Sequence, residues 1–374
     1  MSKDAIKALD AFGQSVWLDN IGRSMIKTGR LQELIGLGLT GMTSNPTIFD
    51  KAVGSGKDYD DQIRRLRKAG AATFEIYDEL TVTDVRDAAD IFRPVYERTK
   101  ARDGYVSLEI SPKLANDAAA TIAEGKRLCA KVDRPNVMFK VPATGPGFKA
   151  VEELTAAGVN VNITLIFSTK QYRDTALAYL RGIRKLLRDN GDPAKVRSVA
   201  SVFVSRIDTA VDALLGGIVE HEKKEKRKEL AASLKGRAAV ANARLCFAEH
   251  LQLFSAEGTR ELLAKGANVQ RLLWGSTSTK NPAYSDIKYM TELIGKDTIN
   301  TTPEATFFAF LDHGQVVEAL TADTADADEV LSGLRTLGIS IDEVCASLLD
   351  KGVQAFDKSL DDLLATIEKK AGSL

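Results

Sequence analysis

Short apolar runs rich in β-branched residues recur along this chain and alternate with longer amphipathic stretches. That rhythm is the mark of repeated strand–helix units around a parallel sheet. The runs fall at 16–20, 38–43, 105–110, 137–141, 160–166, 199–204, 269–274 and 298–301. Eight such units are what a closed (β/α)8 barrel needs, and their span is near the roughly 250 residues usual for one. An open doubly wound sheet is the rival, but no Gly-x-Gly-x-x-Gly turn follows an early strand. The expected architecture is therefore a single (β/α)8 TIM barrel over 1–374. Its core occupies about 15–313, extra helices lie in the N-terminal region, and a helical extension covers 314–374.

Between the runs, 168–189 carries apolar residues at a helical period and stops at Asn190-Gly-Asp-Pro193. Two or three helices are expected within 54–99. The dense mixed-charge run 220–228 reads as the solvated face of a helix. The tail after His313 reads as helical, with leucines at 348, 349, 360, 363 and 364. It is expected to cap the barrel or to join two subunits of a homodimer.

Composition narrows the function. Of 374 residues, 44% are hydrophobic and 27% charged, as in ordinary globular proteins. Basic and acidic residues balance at 51 each, so no global field points to nucleic acid. No apolar stretch reaches membrane-spanning length, and the N-terminus lacks a secretory core. Cys129, Cys246 and Cys345 lie far apart without metal or redox spacing, which fits a cytoplasmic location. With only His221, His250 and His313, a histidine triad or zinc site has little material.

The chemistry is carried by polar residues near the strand ends, where barrel enzymes keep their active sites. Lys140 lies inside the apolar run Asn136-Val-Met-Phe-Lys-Val-Pro-Ala-Thr144. Burial disfavours a charged amine, and a free amine attacks a ketone to form a Schiff base. The plain alternative is a strand-end lysine whose head reaches water. The neighbouring strands favour chemistry, because they add Asp19, Asn45, Glu109, Asn162, Thr164, Ser201 and Phe203. Asp19 and Glu109 are candidates for general acid and base. Thr164 is suited to holding a relay water, while Asn45, Asn162 and Ser201 are suited to sugar hydroxyls. Arg206, with Ser278 and Lys280, makes a candidate phosphate clamp. Phe203 supplies an apolar wall.

Six blocks then resemble the transaldolase family, in the family's order. They are Val16-Trp-Leu-Asp-Asn20, Thr43-Ser-Asn-Pro-Thr-Ile-Phe49, Val106-Ser-Leu-Glu-Ile-Ser111, Val137-Met-Phe-Lys-Val-Pro-Ala-Thr144, Asn160-Val-Asn-Ile-Thr-Leu-Ile-Phe-Ser168 and Ser201-Val-Phe-Val-Ser-Arg206. The resemblance implies class I transfer of a dihydroxyacetone unit in the non-oxidative pentose phosphate pathway. Sedoheptulose 7-phosphate or fructose 6-phosphate would be the donor, and glyceraldehyde 3-phosphate or erythrose 4-phosphate the acceptor. It implies Lys140 as the Schiff-base residue, Asp19 at the cleaved bond, and Glu109 with a water near Thr164 for imine formation and hydrolysis. Asn45, Asn162 and Ser201 would contact the dihydroxyacetone part, and Arg206 the phosphate; no metal or organic cofactor is implied. The chain departs from the family at Lys280, where many relatives have arginine; a lysine keeps the charge but loses the bidentate fork. The stretch 220–236 and the tail after Gly314 also look long, so the long form of the family is the closer match. An aldolase releasing free dihydroxyacetone, or a non-catalytic phosphosugar-binding barrel, are the competing readings.

Overall fold

The computed structural model describes residues 4–374. Among them, eight strands run parallel in one closed barrel, each beside its neighbours in sequence and the last beside the first. They are β1 (Ser15–Asp19), β2 (Gly41–Thr43), β3 (Tyr105–Glu109), β4 (Val137–Pro142), β5 (Val161–Ile166), β6 (Ser198–Phe203), β7 (Arg271–Gly275) and β8 (Ile299–Thr302). Each falls on an expected run, shifted or trimmed by local chemistry. The second run begins as the close of a helix: Gly38 takes a left-handed φ of 112° and its N–H donates to Ile35 O, so β2 starts only at Gly41.

Side chains alternate across each strand, and the two faces have different work. Val16, Leu18, Val106, Leu108, Phe139, Val141 and Ile163 join the apolar layer beneath the helices. Trp17, Tyr105, Met138, Val199, Leu273 and Ile299 form a separate cluster inside the barrel. Trp17 needs Gly41 beside it, since a Cβ there would lie 2.5 Å from the indole ring. Below this plug, at the N-terminal end, the buried Arg271 donates to Asp103 Oδ1 (3.2 Å) and to Ser15 Oγ (2.6 Å). Trp17 Nε1 also donates to Asp103 Oδ1 at 3.0 Å. The next residues along the same inward rows are Asp19, Thr43, Glu109, Lys140, Ser201, Phe203, Gly275 and Thr301, which brings polar groups to the C-terminal mouth.

The helix Thr169–Arg188 follows the expected stretch closely. Ser168 and Gln171 form a reciprocal cap, with Gln171 N donating to Ser168 Oγ (3.1 Å) and Ser168 N to Gln171 Oε1 (3.2 Å). Within 54–99 there are two helices, Asp60–Lys68 and Thr73–Arg98. The charged run 220–228 is not one helix face. The helix Ser205–His221 ends inside it, and Glu222 Oε1 accepts from Lys223 N and Lys224 N before the next helix, Glu225–Leu234, begins. The start of the tail is also not helical. Ala319 and Leu320 both donate their N–H groups to Ile294 O at 2.9 Å, pinning that stretch as a loop. Two helices follow, Ala325–Thr336 and Ile341–Ser373. No helix among the described residues is long and apolar enough to cross a membrane.

Candidate active site

A cavity of about 690 Å³ opens at the C-terminal mouth of the barrel. Of the residues expected at the site, Asp19, Asn45, Lys140, Thr164, Ser201, Phe203, Arg206, Ser278 and Lys280 line it. Glu109 and Asn162 lie behind its wall.

Lys140 does not reach open water: it is 5% exposed. Strand register places it opposite Glu109 on β3 and Asn162 on β5. Its Nζ stands 2.9 Å from Glu109 Oε2 and donates to Ser44 O, also at 2.9 Å. Ser44 is held in turn, with its Oγ donating to Ser107 O at 2.7 Å. A carboxylate and a carbonyl thus aim the amine into the cavity. Burial pushes the Glu109 carboxyl above the ordinary range, and the nearby Lys140 charge opposes this.

Asp19 ends β1, half-buried, and accepts from Thr43 Oγ1 at 2.9 Å. The hydroxyl of Thr43 also meets Thr301 Oγ1 at 2.8 Å, which fixes its direction. Burial raises the Asp19 carboxyl as well, against the pull of Lys140 and Thr43. Burial thus raises both carboxyls, and at each the charge of Lys140 opposes the rise. Thr164 Oγ1 is buried without a hydrogen-bond partner among the described residues, so it is placed to bind a water or hydroxyl entering the cavity. A bulge supports its position: the β5–β6 register shifts between Ile163 and Ile166, and Leu165 takes a left-handed φ of 60°.

Asn162 stands in the second row, with Nδ2 donating to Ser107 Oγ (3.0 Å) and Oδ1 accepting from Ser201 Oγ (2.6 Å). It fixes the direction of Ser201 and keeps one amide N–H and one carbonyl lone pair without a partner among the described residues. Asn45 keeps only part of its side chain free, because Oδ1 caps the helix Pro46–Gly54 by accepting from Ile48 N at 3.0 Å.

At the other end of the cavity Arg206 lies in the first turn of the helix Ser205–His221, where backbone N–H groups face outward. It makes no ion pair among the described residues, and its Cζ lies 5.3 Å above the Phe203 ring. Burial lowers its pKa, which means an anion there would relieve an uncompensated charge. Ser278 and Lys280 stand on the loop after β7, which turns through Ser276 at a φ of 54° and is tied by Ser276 to Ser205 (Oγ–Oγ 3.0 Å). Tyr284 anchors the far side of that loop by donating to Asp212 Oδ2 at 2.7 Å.

Other groups in the wall were not singled out in the sequence. Arg23 lines the cavity while its Nε donates to the buried Asp84 at 2.8 Å, and Tyr59 Oη donates to the same carboxylate at 2.6 Å. Phe356, from the C-terminal helix, places its ring centroid 5.8 Å from Lys140 Nζ. A lone phenylalanine in an amphipathic helix far along the chain gives no local sign of such a place. Among the described residues no group of three or more His, Cys, Asp or Glu side chains is arranged to hold a metal ion.

The chain is thus a closed βα barrel that gathers a buried lysine and two carboxyls at its C-terminal mouth, the end where barrel enzymes hold their sites. Residues 16–367 match the family described as transaldolase/fructose-6-phosphate aldolase, and this chain belongs to it. It is 44% identical to a transaldolase of Saccharopolyspora erythraea, over 98% of this chain and 97% of that protein. It is 42% identical to transaldolase 2 of Nostoc punctiforme, covering 99% and 98%. A transaldolase of Thiobacillus denitrificans is 43% identical, covering 96% and 99%.

Proposed function

We propose that the protein is a transaldolase, moving a dihydroxyacetone unit between phosphosugars through a Schiff base on Lys140. The observation that carries this reading is the amine of Lys140, buried and held at 2.9 Å from both Glu109 Oε2 and Ser44 O. Near-full-length relatives that bear the name transaldolase support it.

Lys140 attacks the ketose carbonyl carbon to give a carbinolamine. Loss of its hydroxyl as water needs a proton, which Glu109 supplies through a water held at Thr164. Asp19 then takes the proton of the hydroxyl on the carbon beyond the bond to be broken. The C–C bond cleaves, its electrons pass into the iminium, and an enamine remains on Lys140 as the aldehyde product leaves. An acceptor aldehyde reverses the sequence: the enamine carbon attacks it and Asp19 returns its proton. Ser201 and the free amide N–H groups of Asn45 orient the sugar hydroxyls, with Asn162 fixing Ser201. Arg206, Ser278 and Lys280 hold the phosphate common to donor and acceptor.

On this reading sedoheptulose 7-phosphate and fructose 6-phosphate are donors, in a cytoplasmic pathway of sugar-phosphate exchange. Lys140→Ala is expected to cut transfer from fructose 6-phosphate to erythrose 4-phosphate by about three orders of magnitude or more, with the circular dichroism spectrum unchanged. Transfer near the wild-type rate would remove the lysine from the mechanism.

A further inference from the structure

We infer that Phe356 is a positioning residue that roofs Lys140 and keeps water from the enamine, so that the three-carbon unit waits for an aldehyde. The inference rests on the Schiff-base reading above and extends it to the C-terminal helix Ile341–Ser373.

That helix lies across the barrel mouth with one stripe down. Cys345, Gly352, Phe356, Leu360, Leu363 and Ile367 are buried at spacings of a single helix face. Gly352 lets it settle on the bulge in β5, because a Cβ there would sit 3.0 Å from Leu165 Cδ2. Cys345 Sγ donates to Phe167 O at 3.2 Å, two residues past that bulge. Beyond Phe356 the helix is moored by polar contacts: Thr47 Oγ1 meets Ser359 Oγ at 2.8 Å, Thr366 Oγ1 donates to Asp50 Oδ1 at 2.6 Å, and Lys370 Nζ donates to Asp60 Oδ1 at 2.8 Å. Phe356 falls between the two sets of anchors, one turn after Gly352.

The two phenylalanine rings of the cavity thus serve its two ends. Phe203 lies under Arg206 and meets Phe167 edge-on at 5.6 Å, so it belongs to the phosphate end. Phe356 is 6% exposed and lies over the amine. An aromatic face favours a cation, hence an iminium on Lys140, and its bulk denies water a path to the carbon that must meet the acceptor. Without that shield the enamine carbon takes a proton from water, giving the iminium and hydroxide. The hydroxide adds to the iminium carbon. The carbinolamine then releases dihydroxyacetone, its hydroxyl proton returning to the amine of Lys140. One water is consumed and no transfer occurs.

The test compares wild type, Phe356→Ala and Phe356→Leu with fructose 6-phosphate. Free dihydroxyacetone is measured without an acceptor, and transfer is measured with erythrose 4-phosphate. Phe356→Ala is expected to raise the ratio of release to transfer by about tenfold, and Phe356→Leu to restore most of the wild-type ratio. Gly352→Ala, whose Cβ would press on Leu165 Cδ2 at 3.0 Å beneath the helix, is expected to shift the ratio in the same direction and covers the case that Phe356→Ala does not fold. Borohydride trapping on each folded variant separates two failures. A Lys140 adduct with an unchanged ratio in all variants overturns the role of Phe356 alone. No adduct in wild type overturns the Schiff-base reading and this inference with it.

Discussion

Asp19 carries a conflict between stability and chemistry that can be measured. Its carboxyl is raised by burial, so the folded chain keeps this proton at pH values where the unfolded chain has lost it. The sign follows from linkage: the contribution to stability is full below the ordinary 3.8 and is lost as pH rises through the raised folded value. Above that raised value the group is ionised in the fold and costs folding energy. Asp19→Asn is therefore expected to leave the denaturation midpoint at pH 7 equal to or above wild type, while transfer falls roughly 10²- to 10⁴-fold. Lower stability with retained turnover would contradict the assignment. Asp19, Glu109 and Lys140 were legible in the sequence because each interrupts an apolar run at an inward position. Asn162 had the same signature, but its bonds to Ser107 and Ser201 were not legible, since pattern gives the side of a strand and not the partners waiting there.

At the scale of elements, the strands were legible because a parallel barrel buries both faces and leaves near-continuous apolar runs. Devices that depend on packing between runs were not. Leu165 reads as one more strand residue, and only the shifted register with β6 exposes the bulge. The charged stretch around Glu222 keeps helical composition across a break made by that side chain's own backbone contacts. Gly41 is similar, a small residue whose reason is the Trp17 ring above it. Gly41→Ala must displace that indole within a filled barrel, and a loss of about 1–3 kcal/mol in denaturant unfolding is expected. An unchanged midpoint would mean that the interior plug yields freely.

The molecule as a whole divides into an N-terminal end built for stability and a C-terminal mouth built for chemistry, with its last helix closing the latter. The cap was one of two roles the leucine pattern of the tail allowed, and the burial of Leu360, Leu363 and Ile367 within this chain supports it. Acid should weaken the barrel through a group far from the site. His250 is buried among aromatic rings with Nδ1 2.7 Å from Tyr172 Oη, and its pKa falls to about 4. A lowered histidine contributes stability above the ordinary 6.5 and loses it as pH falls toward 4, by about 3 kcal/mol over that interval. His250→Gln is expected to flatten this loss in unfolding curves recorded between those values; a parallel pH profile would place the acid sensitivity elsewhere.

The central claim concerns one covalent bond. Borohydride reduction of the protein with fructose 6-phosphate, followed by mass spectrometry of its peptides, is expected to find a reduced dihydroxyacetone adduct on Lys140. Folded protein that carries no adduct under excess substrate, or carries it on another lysine, would contradict the account.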